Sequence, residues 1–306
     1  MSTSNPSITV IGTGAVGGAL IDFIKNSAYR LISVWNSNGG EVFDVNDSPK
    51  FCSDTLPVSD DQIGDLLILA LPDDMISPVA NELAKKDLKW HLKSVIHCSG
   101  NMSSDVLKPL ADCGCQTASM HPIQTFKRGD RSERFRDIFI SLEGDEQLIN
   151  ILEDLTKQLS SKSLKLNPEQ KSMLHVAAVF SSNYLVALLH QVEQILEKAD
   201  LTDGIQLLEP LIHQTIQNIH QKGTVDALTG PISRGDVKSV EKHINQLERD
   251  QTLLNAYKML GEIAVTITEK RGDISAEKIR QIRSILSSAD PKNNSVTNTQ
   301  STLRLP

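Results

Sequence analysis

Lys171 and His175 stand four residues apart in a stretch whose apolar residues recur at helical spacing. Ser182 falls on the same face, and Asn183 lies about 100° further round. Two polar side chains one turn apart can serve one substrate. Imidazole titrates near neutrality, so His175 is the candidate to give or take a proton, with Lys171 beside it. A core histidine bonded to a backbone carbonyl would fit the same pattern. His121 ends a strand-like run, and Pro122 holds it in extended geometry, which fixes its direction. Ser99-Gly100 ends another run. A small pair there either lets a flat ring or sugar lie against the backbone or simply packs a loop. Thr229-Gly230-Pro231-Ile232-Ser233-Arg234-Gly235-Asp236 forms a Gly- and Pro-defined loop. Arg234 could hold a carboxylate through its two-pronged guanidinium, or it could pair with Asp236 and serve structure only.

The stretch that must organise these residues is Ile8-Thr9-Val10-Ile11-Gly12-Thr13-Gly14-Ala15-Val16-Gly17. An apolar strand runs into glycines and then into a helical pattern. Gly12 permits the turn, Gly14 leaves room for a pyrophosphate, and Gly17 lets helix and strand pack closely. The backbone of Thr13, Ala15 and Val16 would present free N–H groups at the positive end of the helix. This predicts a dinucleotide site. A carboxylate about 20 residues further on usually reads the ribose of NAD. Here Asn36 and Ser37 follow the second strand, with 38–40 completing a polar turn. No carboxylate is present to repel a 2′-phosphate, so NADP is favoured over NAD, although an ordinary turn has the same composition. Leu71-Pro72 ends the strand 65–71 and falls beside the cofactor at the carboxyl edge of such a sheet. Asp73 and Asp74 suit the start of the helix that follows.

Strands predicted at 31–35, near 51–52, and at 65–71, 94–98, 117–120, 138–142 and 163–166 alternate with helices, as in a doubly wound sheet. After Pro168 the pattern is helical only: 171–199, 205–222, 237–248, 251–271 and 276–286. The expected division is a nucleotide-binding domain at 1–166, a helical domain at 167–288 and a disordered tail at 289–306. The chain has 306 residues, a net charge of −7 and only 4% aromatic residues, without the basic tracks or stacking platforms of nucleic-acid binders. No apolar run reaches the length of a membrane span, and 1–6 lacks the basic and apolar segments of a signal peptide. Cys52, Cys98, Cys113 and Cys115 show no ligand spacing for a metal. A reducing cytoplasm is the expected compartment.

The glycine unit, Ala70-Leu71-Pro72-Asp73-Asp74, His97-Cys98-Ser99-Gly100 and His121-Pro122-Ile123-Gln124-Thr125-Phe126 resemble a bacterial family of Rossmann-like proteins with a helical C-terminal domain of unknown function. His175-Val176-Ala177-Ala178-Val179-Phe180-Ser181-Ser182-Asn183-Tyr184-Leu185 and the Thr229–Asp236 loop, preceded by Ala227-Leu228, are specific to that resemblance, which spans 7–286. The family is similar in architecture to pyrroline-5-carboxylate reductase and ketopantoate reductase. The resemblance implies an α/β Rossmann domain followed by an all-α domain of the 6-phosphogluconate dehydrogenase type. It also implies NADP as cofactor and a homodimer joined through the helical domain. Related reductases place substrate between the nicotinamide and the first long helix of the second domain, where a polar side chain donates to the carbonyl or imine. Their helical Lys and Asn do not align unambiguously with Lys171, His175 and Asn183, so no role carries over directly. A Thr/Ser-Pro-Gly loop in pyrroline carboxylate reductases, comparable to 229–236, makes an anionic small-molecule substrate plausible. The expected activity is hydride transfer between nicotinamide and a C=O or C=N carbon of a small carboxylated metabolite. The alternative is a protein that senses NADP(H) without turnover.

Overall fold

A computed structural model describes residues 5–37 and 51–288. The turn residues 38–40 and the tail 289–306 lie outside the described residues. The sheet is built from β1 (Ser7–Ile11), β2 (Arg30–Trp35), β3 (Phe51–Ser53), β4 (Leu66–Leu69), β5 (Ser94–His97), β6 (Gln116–Pro122), β7 (Phe139–Gly144) and β8 (Lys162–Lys165). Their spatial order is β3-β2-β1-β4-β5-β6-β7-β8. Pairing is parallel throughout except between β6 and β7, where Ser119 faces Glu143 and His121 faces Ser141. The order reverses at β1, so β1 and β4 diverge around a crevice at their carboxyl ends, where ligands bind in such sheets.

Alternate residues of each central strand feed opposite layers. Ile8, Val10, Ile68 and Ile96 pack with Leu20 and Ile24 of α1 (Ala15–Lys25) and Leu148 and Leu152 of α4 (Glu146–Gln158). Ile11, Leu67, Leu69 and Val95 pack with Ile76, Ala80 and Leu83 of α2 (Asp73–Ala84) and with Leu110 of the short α3 (Lys108–Ala111). Burying a Leu or Ile of this kind contributes about 1.5–3 kcal/mol, which is why near-continuous apolar runs mark strands covered on both faces.

The helical part comprises α5 (Pro168–Ser181), α6 (Asn183–Lys198), α7 (Glu209–Ala227), α8 (Val237–Leu247), α9 (Gln251–Arg271) and α10 (Ala276–Ser287). The single helix expected over 171–199 is therefore two. It is interrupted at Ser182 (φ −122°, ψ −69°), next to Ser181, whose hydroxyl bonds back to the Ala177 carbonyl. Such back-bonding competes with the helical ladder and carries no Gly or Pro signal. The helix expected over 205–222 starts later and continues past Gly223, which takes a positive φ of 76° and kinks α7. By contacts the chain divides into Met1–Val186 and Ala187–Pro306. The division falls after Val186 rather than after residue 166, because α5 is tied to the sheet through buried Lys171. In the second unit, Val240 and Ile244 of α8, Leu254 and Val265 of α9 and Ile282 of α10 form a separate core.

Taken as one span, Pro168–Lys198 bears on the expectation that no apolar run reaches the length of a membrane span. By length and composition it can cross a membrane, with a mean hydropathy of 1.5 in its most apolar window and none of that window buried. Isolated polar residues such as His175, Ser181 and Asn183 break every apolar run without lowering the average far.

Candidate active site

Three glycines shape the crevice. Gly12 has φ +101°, and a Cβ there would lie 2.2 Å from the Ala70 carbonyl oxygen. A Cβ on Gly17 would lie 2.0 Å from the Gly12 carbonyl oxygen, so helix and turn meet backbone to backbone. Gly14 differs: nothing lies within 4 Å of where its Cβ would be. Gly14 caps α1 without a side-chain hydrogen bond, and no acidic residue occupies the first turn. The first N–H groups of the helix therefore have no anionic side chain competing for them, and the space over Gly14 is open. These features fit a dinucleotide pyrophosphate. Thr13 is half-buried in the same turn, and Asn36 and Ser37 follow β2 at its carboxyl end. A cavity of about 390 Å³ extends from this turn, lined by Gly14, Ala15, Val16, Leu71, Pro72, Ser99, Gly100, His121 and Phe126 among others. The glycine turn, the Leu71-Pro72 loop, the Ser99-Gly100 pair and His121 thus share one cleft.

The floor of that cleft is held by a polar network. His97 is fully buried, with Nδ1 accepting from the Ser99 N–H at 3.2 Å and Nε2 3.1 Å from the Ser103 carbonyl. These partners fix the neutral tautomer with its proton on Nε2. The Ser99 hydroxyl accepts from the N–H groups of Asn101 and Met102. The Ser99 carbonyl accepts from Lys171 Nζ at 2.6 Å. Lys171 is only 2% exposed. Burial lowers its pKa to about 8, opposed by the charges of Glu143 and Asp73. Glu143 is itself buried, and its carboxylate accepts from the N–H and hydroxyl of Ser104.

Gly100 is where the two helical and strand-end histidines converge. A Cβ there would lie 2.7 Å from His121 Cε1 and 2.7 Å from His175 Nδ1. The two rings stand edge to face with centroids 6.1 Å apart. His175 Nδ1 is buried and has no hydrogen-bond partner among the described residues. Buried polar atoms left without a partner are rare in folded proteins. Burial, then the Lys171 charge, then His175 push the pKa of His121 down to about 4. His97 is pushed to about 4 by burial and then Lys171. Burial raises the Cys98 thiol to about 12, so it stays protonated.

Lys171 and His175 are therefore brought to the cleft together, as the i, i+4 spacing predicts. Asn183 is not: it starts α6, is exposed, and its side chain makes no hydrogen bond among the described residues. Ser182 interrupts the helix before it. Arg234 belongs to the second unit. Its loop is pinned by Arg271, which donates to the Leu228 carbonyl (2.9 Å), the Ser233 carbonyl (3.0 Å) and the Ser233 hydroxyl (2.8 Å). Asp236 does not pair with Arg234. It caps α8 by accepting from the N–H and hydroxyl of Ser239. The exposed Arg234 guanidinium has no ion-pair partner among the described residues.

Sequence reasoning did not single out His97, Glu143 or Arg271. A polar residue inside an apolar strand, as His97 is, was the available signal for the first. Nothing in the spacing marks the other two.

A Rossmann-like domain model matches residues 2–122, and a model for a domain of unknown function, DUF2520, matches residues 138–263. No curated protein matches the chain in sequence. Among solved structures, a proposed NADP oxidoreductase of Bacteroides fragilis is 20% identical with a TM-score of 0.68, covering 88% of this chain and 100% of its own. A protein of Thermotoga maritima is 23% identical with a TM-score of 0.65, covering 87% and 99%. A reductive aminase of Aspergillus terreus, solved with NADPH and ethyl-5-oxohexanoate, is 15% identical with a TM-score of 0.55, covering 92% of each chain. The two matching models lie one after the other along most of the sequence, and the chain is similar to both a Rossmann-like domain and a DUF2520 domain.

Proposed function

We propose that the chain is an NADP(H)-dependent oxidoreductase acting on a C=O or C=N group of a small, carboxylated metabolite. The observation that carries this reading is the meeting of an orphaned, buried His175 Nδ1 with Gly100 and His121 on the floor of a glycine-turn cleft. A phosphate-binding turn alone needs no such group beside it. The solved neighbours that bind NADPH or NADP⁺ and reduce imines share the fold and are consistent with it.

The backbone at Gly12–Gly17 would hold the pyrophosphate, and Asn36 and Ser37 the 2′-phosphate. Bound there, the nicotinamide supplies or accepts the hydride. His175 then delivers or removes a proton at Nδ1, which no protein group among the described residues occupies. Lys171 fixes the Ser99 carbonyl and adds positive charge under the developing anion. Arg234, on a loop that Arg271 keeps in shape, is our candidate for binding a carboxylate. Titration with NADPH and NADH tests the cofactor part: NADPH should bind at least tenfold more tightly. Equal binding withdraws Asn36 and Ser37 as readers of the phosphate.

A second reading rests on Lys171, whose ammonium is engaged by Ser99, and on Asn183, which stays outside the cleft. A sensor of NADP(H) needs only the phosphate and ribose contacts. His175→Ala separates the two readings. In the enzyme it lowers turnover of an imine or keto acid at least a hundredfold with cofactor affinity kept within about threefold. In the sensor it leaves both unchanged.

The assembly we propose is a homodimer in a reducing cytoplasm. Large apolar side chains stand exposed on α5, α7 and α9: Met173 (64%), Phe180 (65%), Leu211 (62%) and Met259 (62%). A second copy would cover them.

A further inference from the structure

Lys171 is among the largest fully buried side chains of the chain, and among the described residues it forms no ion pair. Its hydrogen bond goes to an uncharged acceptor, the Ser99 carbonyl, and Ser99 lines the cleft. The groups that face it come from five elements. Glu143 of β7 and Asp73 of α2 attract it, but Glu143 is committed to Ser104, and Asp73 is exposed. His97 at the end of β5 and His121 of β6 are neutral at pH 7, as is the Cys98 thiol that follows β5. His175 of α5 contributes its orphaned Nδ1. The floor of the cleft therefore holds a positive charge that no carboxylate contacts among the described residues, although the charges of Glu143 and Asp73 act on it from a distance.

Reduced and oxidised nicotinamides differ by one hydride, that is, two electrons and one proton. The oxidised ring carries one positive charge and the reduced ring none. We propose that the buried Lys171 ammonium makes the cleft discriminate between the two states, favouring the reduced, uncharged ring and repelling the oxidised, cationic one. This deepens the cofactor reading above and rests on it. It gives the spent cofactor a reason to leave. Repulsion between like charges in a partly buried site is strong enough for about a tenfold preference.

The test is the ratio of the dissociation constants of NADP⁺ and NADPH, measured by calorimetry on the full chain. The 2′-phosphate is common to both forms, so its titration cancels in the ratio. Wild type should show a ratio about tenfold higher than Lys171→Met, and Lys171→Arg should retain the wild-type value. Raising the pH from 6.5 to 9.5 removes the Lys171 proton, so the wild-type ratio should fall toward that of Lys171→Met while Lys171→Arg stays constant. This second arm decides the matter if Lys171→Met does not fold. A ratio unchanged by Lys171→Met, or a wild-type ratio independent of pH, overturns the inference while leaving the cofactor reading intact. Failure of wild type to bind either form overturns both.

Discussion

His97 ties the protonation of one ring to the shape of the cleft. Its Nδ1 accepts from Ser99, so a proton there breaks the bond that holds the floor. The folded His97 titrates near 4 and the unfolded one near 6.5. Between those values the unfolded chain binds more protons, so stability falls as pH drops through this window. Urea unfolding at pH 6.5 and 4.5 should show a loss about 2 kcal/mol larger for wild type than for His97→Gln. Lys171 acts at the other end of the scale. Its folded value near 8 lies below the unfolded 10.5, so between them stability rises with pH, an increase that Lys171→Met should abolish. The glycines separate structure from binding at single positions. Gly17→Ala forces a Cβ against backbone and should cost several kcal/mol, seen as a lower Tm. Gly14→Ala meets open space, so Tm should hold within about 2 °C while NADPH affinity drops at least tenfold. At this scale the sequence was informative wherever a residue ends an element. Gly12, Gly14, Gly100 and His121 stand at strand ends, and the helical period places Lys171 and His175 on one face. Glu143 lies within a strand, where period-two reading says only which face a side chain takes.

The reversal between β6 and β7 is what delivers the helix carrying Lys171 and His175 to the cleft. Asn167 and Pro168 lie near Thr117 at the start of β6, and His175 lies beside His121 at its end. A chain returning through an antiparallel β7 and a β8 parallel to it begins α5 at the amino edge, and one short helix run then reaches the carboxyl edge. Strand direction is a long-range property, and alternation within 138–142 is the same either way. Helix extents were more legible: α9 spans 251–271 as its periodicity indicates, whereas Ser182 interrupts a pattern that contains no breaker. The loop at 229–236 illustrates another hidden dependence, since its anchor lies on α9. Arg271→Met leaves the Ser233 carbonyl without this donor and the Leu228 carbonyl with only the Ser233 hydroxyl, which should cost about 1–3 kcal/mol and speed amide exchange across the loop. Exchange rates unchanged from wild type would show that the loop's own hydrogen bonds suffice.

The largest scale is governed by apolar surface. Phe180 and Tyr184 stack edge to face with centroids 4.9 Å apart, yet both remain exposed. Light scattering should report a dimer at micromolar concentration, and Phe180→Asp should shift it toward monomer. Partition of the wild-type chain into lipid vesicles would instead identify Pro168–Lys198 as a membrane-seeking segment. The placement of α5 has one more consequence. The unit boundary after Val186 leaves Lys171, His121 and His175 with the glycine turn. On the proposed reading, the glycine turn and the proton donor form a single heritable block. Lineages could then exchange or erode the remaining helices to change what is reduced without rebuilding how it is reduced.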